Sequence, residues 1–149
     1  MSDVLNLSQV KVPGTARSKD DAIREAGAIL VDAGAVTPDY IDAMFEREKS
    51  VSTYMGNLLA IPHGTNEAKG SIKRTGISFI RYDEPLDWNG KETKFVIGIA
   101  GAGNDHLTLL GKIAKVFVDK EKVAELERAQ SAAEVSRLLG LTTGDRTTA

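Results

Sequence analysis

The chain has two histidines and no cysteine, so thiolate chemistry is absent and an imidazole is the natural place to look for a nucleophile. His63 stands between Pro62 and Gly64, where the apolar run NLLAI at 57–61 stops and a polar segment begins. Proline fixes the backbone before the ring, and glycine after it permits a turn or a close approach by a ligand. The imidazole is thereby held at a strand end with one ring edge open. That arrangement suits a nucleophile or a general base. By itself, the tripeptide equally suits a turn histidine that caps a sheet.

His106 follows the stretch GAGND at 101–105 and falls in the first turn of an expected helix. Unpaired backbone N–H groups and the positive end of the helix dipole favour an anion there. The same field disfavours an imidazolium, so this histidine reads as neutral and able to donate one hydrogen bond, or as an ordinary first-turn surface residue. Arg47 lies in FEREK at 45–49. Its guanidinium has the geometry to clamp a phosphoryl group through two N–H donors, although such a charge run also serves as a solvated helix face.

Rival chemistries fit less well. Gly101 and Gly103 begin a dinucleotide fingerprint whose third glycine would fall at His106, and no Gly-Lys-Ser/Thr follows to make a P-loop. Nothing matches HExxH or another compact metal-ligand spacing, and a third zinc ligand would be an arbitrary choice among 21 acids. The Gly-x-Ser-x-Gly elbow of serine hydrolases is absent. No metal and no cofactor is expected.

The elements that must position these residues are legible from their periodicity. Ser18 and the acids Asp20 and Asp21 open a helix whose apolar positions, Ala22, Ile23, Ala26, Ile29, Leu30 and Ala33, recur at helical spacing until Gly34. Thr37, Pro38 and Asp39 open a second helix, with proline at its first position and Tyr40, Ile41, Met44 and Phe45 as its apolar face. Asp39 and Asp42 read as first-turn acids of that helix. Residues 57–61 read as a short apolar strand, and TGISFIRY at 75–82 as an alternating one. Asn89 and Gly90 signal a hairpin turn, and FVIGIA at 95–100 follows as a strand buried on both faces. Helices are expected over 105–117, with Asn104 as cap, then over 119–129 and 131–139. Glu67 and Lys69 are expected to cap or pair locally.

With 42% apolar and 27% charged residues, the 149-residue chain has the composition of one soluble domain with a core of its own. Nineteen basic against 21 acidic residues leave a net charge of −2, which argues against nucleic acid as a partner. The first residues, MSDVLNLSQVKV, lack the basic start and apolar core of a secretory signal, and no apolar run reaches membrane-spanning length. The expectation is a soluble cytoplasmic α/β protein. It should form a single domain over 1–149, with a mixed parallel and antiparallel sheet flanked by helices and flexible ends at about 1–6 and 141–149.

The segment IPHGTNEAK at 61–69 closely resembles the active-site segment of the mannitol-type IIA component of the bacterial phosphoenolpyruvate-dependent sugar phosphotransferase system. The likeness extends from about Leu7 to Leu139. It includes Ala22 and Ile23, the VTPDY at 36–40, REK at 47–49, YMG at 54–56, and FVIGIA at 95–100 running on to His106. The Pro-His-Gly core is shared with fructose and nitrogen-regulatory IIA proteins, whereas the Thr-Asn-Glu-Ala-Lys continuation points to the mannitol type. Leu58 and Leu59 depart from the pattern where smaller residues, often glycine, are expected, and could reshape the pocket wall.

The resemblance implies a phosphoryl carrier. His63 would take the phosphoryl group on Nε2, His106 would hydrogen-bond it, and Arg47 would offset its charge. Asn57, Gly64 and Thr65 would lie near the same pocket. The group would come from the histidine-containing phosphocarrier protein and pass to a cysteine of the IIB component, and so indirectly to the membrane IIC component. The alternative within the resemblance is a regulatory, nitrogen-type IIA protein whose phosphorylation state controls a partner without sugar transfer.

Overall fold

The computed structural model describes residues 7–50, 52–102 and 105–139. The expected cap Asn104 and both chain ends expected to be flexible lie outside the described residues, as do the side chains of Glu67 and Lys69. Among the described residues, five helices flank a five-stranded open sheet of mixed direction. The strands are β1 (Val10–Lys11), β2 (Tyr54–Gly56), β3 (Leu59–Ala60), β4 (Gly76–Trp88) and β5 (Lys91–Ala100), in the spatial order β1-β4-β5-β3-β2. β4 and β5 form an antiparallel hairpin, β1 runs parallel to β4, and β3 runs parallel to β5.

Strand periodicity sorts the core into two layers. On one face of the sheet, Leu59, Ile77, Phe79, Phe95, Ile97 and Ile99 pack against α3 (Asp105–Phe117), α4 (Lys120–Arg128) and α5 (Ala132–Leu139). Their neighbours Ala60, Ile80, Tyr82, Val96 and Ala100 face α1 (Lys19–Asp32) and α2 (Tyr40–Ser50). β5 is therefore buried on both sides, as its unbroken apolar run implies. The small residues Ser78 and Ala26 let α1 lie close to the sheet, where the Ser78 hydroxyl donates to the Ala26 carbonyl at 3.0 Å.

Local chemistry sets the helix ends. Ser18 Oγ accepts from Asp21 N–H at 3.2 Å to start α1, which stops where Gly34 takes a φ of +77°. Asp119 caps α4 through its carboxylate, and Ser131 Oγ accepts from Glu134 N–H at the start of α5. At the other end of α4, the buried Arg81 guanidinium from β4 donates to the carbonyls of Leu126, Glu127 and Ala129. A cation thus meets the negative end of the helix dipole and the carbonyls of its last turn and cap.

Four sequence expectations are corrected. The run at 57–61 is not one strand. Asn57 and Leu58 have φ of 51° and 69° and form the turn of a β2–β3 hairpin, leaving only Leu59 and Ala60 in the ladder. Glycine is at ease in that backbone region and leucine is not. β4 continues past Tyr82 to Trp88 because a bulge absorbs Asp83, Glu84 and Pro85. Between Arg81 and Leu86 the strand advances five positions while its partner advances two, from Phe95 to Thr93. α2 begins at Tyr40, with Pro38 in the turn that leads into it. Asp39 sits just before the helix and joins two loops, accepting from the hydroxyls of Thr37 and Ser71.

Candidate active site

His63 lies where the β3 segment runs out alongside β5. Leu59 and Ala60 pair with Phe95 and Val96, the chain lifts through Ile61 and Pro62, and His63 re-forms a parallel bridge with Ile99. Ile99 N–H donates to the Pro62 carbonyl at 3.0 Å. This is the carboxyl end of two parallel strands, where open α/β sheets place their ligand sites. Ile61 and Pro62 are buried and His63 is half-buried, so apolar neighbours hold the backbone while one side of the ring faces outward.

The tautomer follows from one contact. His63 Nδ1 lies 2.8 Å from the Ile61 carbonyl oxygen, which can only accept, so Nδ1 carries the proton. In the neutral ring the lone pair then resides on Nε2. Burial lowers the pKa of His63 below the usual histidine value. The Ile61 bond opposes that shift, the Arg47 charge adds to it, and Glu48 opposes it. A neutral imidazole with a defined Nε2 lone pair is the form a nucleophile requires.

The two histidines come together from distant parts of the chain, with ring centroids 4.7 Å apart and planes inclined by 52°. His106 is in the first turn of α3, directly after the β5–α3 connection. Thr75 holds Ala102 and Asp105 on either side: its Oγ1 donates to Asp105 Oδ2 at 2.6 Å and accepts from Ala102 N–H at 3.0 Å. Gly101 lies against the backbone of His106, so a Cβ there would come within 2.5 Å of the His106 Cα. A side chain at 101 would push His106 off its mark.

Arg47 approaches from the last turn of α2, and its charge acts on His63. The next residue, Glu48, turns inward. It is 7% exposed, and its carboxylate accepts from Thr53 N–H at 3.1 Å, Thr53 Oγ1 at 2.5 Å and Trp88 Nε1 at 3.0 Å. The charge run at 46–49 therefore splits its tasks, with Glu48 anchoring the helix end that carries Arg47.

Of the remaining candidates, Gly64 directly follows His63 and its N–H donates to the Tyr40 hydroxyl at 2.8 Å. Thr65 is half-buried at the start of the 3₁₀ turn over Asn66–Ser71, its carbonyl accepting from Ala68 N–H. Asn57 stands apart. Its Nδ2 donates at 2.7 Å to the carbonyl of Phe117, the last residue of α3, whereas His106 is in the first turn of the same helix. Eleven residues of helix separate those two positions, about 17 Å. Leu58 is at that far end too, so the Leu58–Leu59 departure does not form the wall around His63.

The residues missed from sequence are Tyr40, Thr75, Asp105 and Glu48. Only Tyr40 carried a signal, since a tyrosine on the apolar face of a helix needs a hydrogen-bond partner inside the fold. Among the described residues, no three His, Asp or Glu side chains come close enough to hold a metal ion, and no helix is long and apolar enough to cross a membrane.

A mixed sheet that offers a neutral imidazole beside a second histidine and an arginine is the setting expected for phosphoryl transfer, and the relatives agree. A mannitol-specific phosphotransferase enzyme IIA component of Halalkalibacterium halodurans is 50% identical over 137 residues, 92% of this chain and 94% of that protein. The protein of the same name from Staphylococcus aureus is 44% identical over 138 residues, 93% of this chain and 96% of its own length. Among solved structures, the complex of enzyme IIAMTL and phosphorylated enzyme IIBMTL from Escherichia coli matches with a TM-score of 0.85 and 35% identity, covering 91% of this chain and 96% of that one. The family described as "Phosphoenolpyruvate-dependent sugar phosphotransferase system, EIIA 2" matches residues 3–140, and the chain belongs to it.

Proposed function

We propose that this protein is the IIA phosphoryl carrier of a mannitol-type phosphotransferase system, working on the cytoplasmic side of the membrane. It takes a phosphoryl group from the histidine-containing phosphocarrier protein onto His63 Nε2 and passes it to a cysteine of the IIB component, which serves the membrane IIC component. The observation that carries this reading is the His63 Nδ1 contact with the Ile61 carbonyl at 2.8 Å, because it leaves Nε2 as the nucleophilic nitrogen. The mannitol-specific names of the relatives favour a transport role over a nitrogen-type regulatory one.

In the first transfer the Nε2 lone pair attacks phosphorus in line as the nitrogen–phosphorus bond of the donor breaks. One such bond replaces another, so the step is nearly balanced and reversible. Nδ1 keeps its proton, and the Ile61 carbonyl offsets the positive charge that the ring acquires. Arg47 and His106 stabilise charge on the phosphoryl oxygens, aided by the positive end of α3. The second transfer breaks the bond at Nε2 as a sulfur–phosphorus bond forms on the partner. Leu107, 72% exposed and adjacent to His106, supplies apolar contact on the rim where the two partner proteins dock in turn.

The test is incubation with enzyme I, the phosphocarrier protein and labelled phosphoenolpyruvate. The wild-type chain should acquire an acid-labile, base-stable phosphoryl group and His63→Ala should acquire none. Labelling of His63→Ala would overturn the assignment.

A further inference from the structure

The bridge between His63 and Ile99 is irregular. Parallel strands exchange two bonds around such a pair. The first, from Ile99 N–H to the Pro62 carbonyl, is present at 3.0 Å. The second would run from Gly64 N–H to the Ile99 carbonyl, and the Tyr40 hydroxyl stands between those two groups. It accepts from Gly64 N–H at 2.8 Å and donates to the Ile99 carbonyl at 2.9 Å. A hydroxyl has one proton to give and lone pairs to receive, so both backbone groups are satisfied through one atom.

Everything around Tyr40 holds that oxygen in place. The residue is 2% exposed and belongs to the α1–α2 side of the core. Its ring packs so tightly on Gly64 that a Cβ there would come within 2.5 Å of Cε1. Tyr40 opens α2, whose last turn carries Arg47. One rigid element therefore sets both the backbone beside His63 and the position of the arginine.

We infer that Tyr40 is a positioning residue for phosphoryl transfer, its hydroxyl wedging the parallel ladder open one residue after His63 and so aiming the imidazole toward His106. The inference rests on His63 being the phosphoryl acceptor. Without the oxygen, Gly64 N–H and the Ile99 carbonyl draw together toward the ~2.9 Å of a direct bond, and the His63 backbone is pulled in along β5. A displacement of that order moves the ring against a partner only 4.7 Å away. Misplacement by about 1 Å costs roughly a hundredfold in rate.

The experiment compares wild type, Tyr40→Phe and His63→Ala in single-turnover transfer from the phosphorylated histidine carrier, with imidazole NMR of His63. Tyr40→Phe should still be labelled on His63, with the rate constant about 10–100-fold lower, the carrier KM unchanged and the His63 ring signals shifted. A wild-type rate constant, or unshifted ring signals, would overturn the proposal even if the melting temperature fell, because a purely structural tyrosine gives that pattern. Labelling of His63→Ala would instead overturn the acceptor assignment itself, so the two failures are distinct. The native protein provides an independent check: the Tyr40 hydroxyl proton should exchange slowly and lie close to the Gly64 amide proton. A fast-exchanging hydroxyl would sink the idea without any variant.

Discussion

Glu25 and His63 are both polar side chains drawn into the fold, and they are completed to different degrees. The Glu25 carboxylate accepts from Thr15 N–H at 3.0 Å, Thr15 Oγ1 at 2.9 Å, Ala16 N–H at 3.1 Å and the Tyr82 hydroxyl at 2.6 Å, and pairs with Lys11 at 2.8 Å. Burial disfavours its charge, but the bonds from Lys11, Tyr82 and Thr15 outweigh burial and hold its pKa at about 2. Every acceptor direction has a donor, and the result is a brace that ties the segment after β1 to α1 and β4. His63 has one nitrogen fixed on Ile61, and burial keeps the ring neutral with its other nitrogen basic. A saturated polar group contributes stability. One left with a single lone pair contributes reactivity.

Variants on the two sides should separate those properties. After loss of His63 itself, the largest effect on chemistry is expected from His106→Ala, which on the proposed reading removes a hydrogen-bond donor from the phosphoryl oxygens. Transfer should slow by about a hundredfold while the fold persists, as rapid-quench labelling and circular dichroism would show. A wild-type rate would remove His106 from the mechanism.

Arg47→Gln should slow transfer by about tenfold and also move the pH dependence. Arg47 contributes to holding the His63 pKa down. Its loss lets the ring bind a proton at higher pH, so the acid limb of the rate profile should shift upward. A limb that stays in place or moves downward would show that the charge does not act on His63.

Glu25→Gln should leave transfer untouched and lower stability near neutral pH by about 2 kcal/mol, read from denaturant unfolding. The sign of its pH dependence follows from a depressed carboxylate pKa. The stabilisation is fully present above the ordinary glutamate value of 4.5 and is lost as pH falls through about 2. Wild type and variant should therefore converge across that interval. An altered transfer rate in this variant would break the contrast between brace and site.

Legibility from sequence followed the range of the interactions. Ser18, Gly34 and the 3.6-residue spacing of Ala22, Ile23, Ala26 and Leu30 announced α1, because caps and stripes are local. Asn89 and Gly90 announced the β4–β5 turn for the same reason. The two-residue strand β1 gave no such signal. It exists because β4 offers Phe79 and Ile80 an edge to pair with, a fact located almost 70 residues away. Glu48 was indistinguishable from Glu46 until Trp88 and Thr53 were placed around it. At the site, His63 and His106 were legible as residue types, and the family likeness gave them roles. Tyr40 between Gly64 and Ile99 was not legible, since the second ladder bond it interrupts exists only once β3 and β5 align.

The site draws on Tyr40, Arg47, His63 and Ile99 through His106, which meet only after α2, β5 and the segment after β3 have docked. Contacts such as Tyr40 with Ile99 span 59 positions of chain and close large loops. A nascent or partly unfolded copy has the same histidine but neither the fixed tautomer nor the nearby Arg47 charge. On the proposed reading, competence to hold a phosphoryl group is thus a consequence of completed folding.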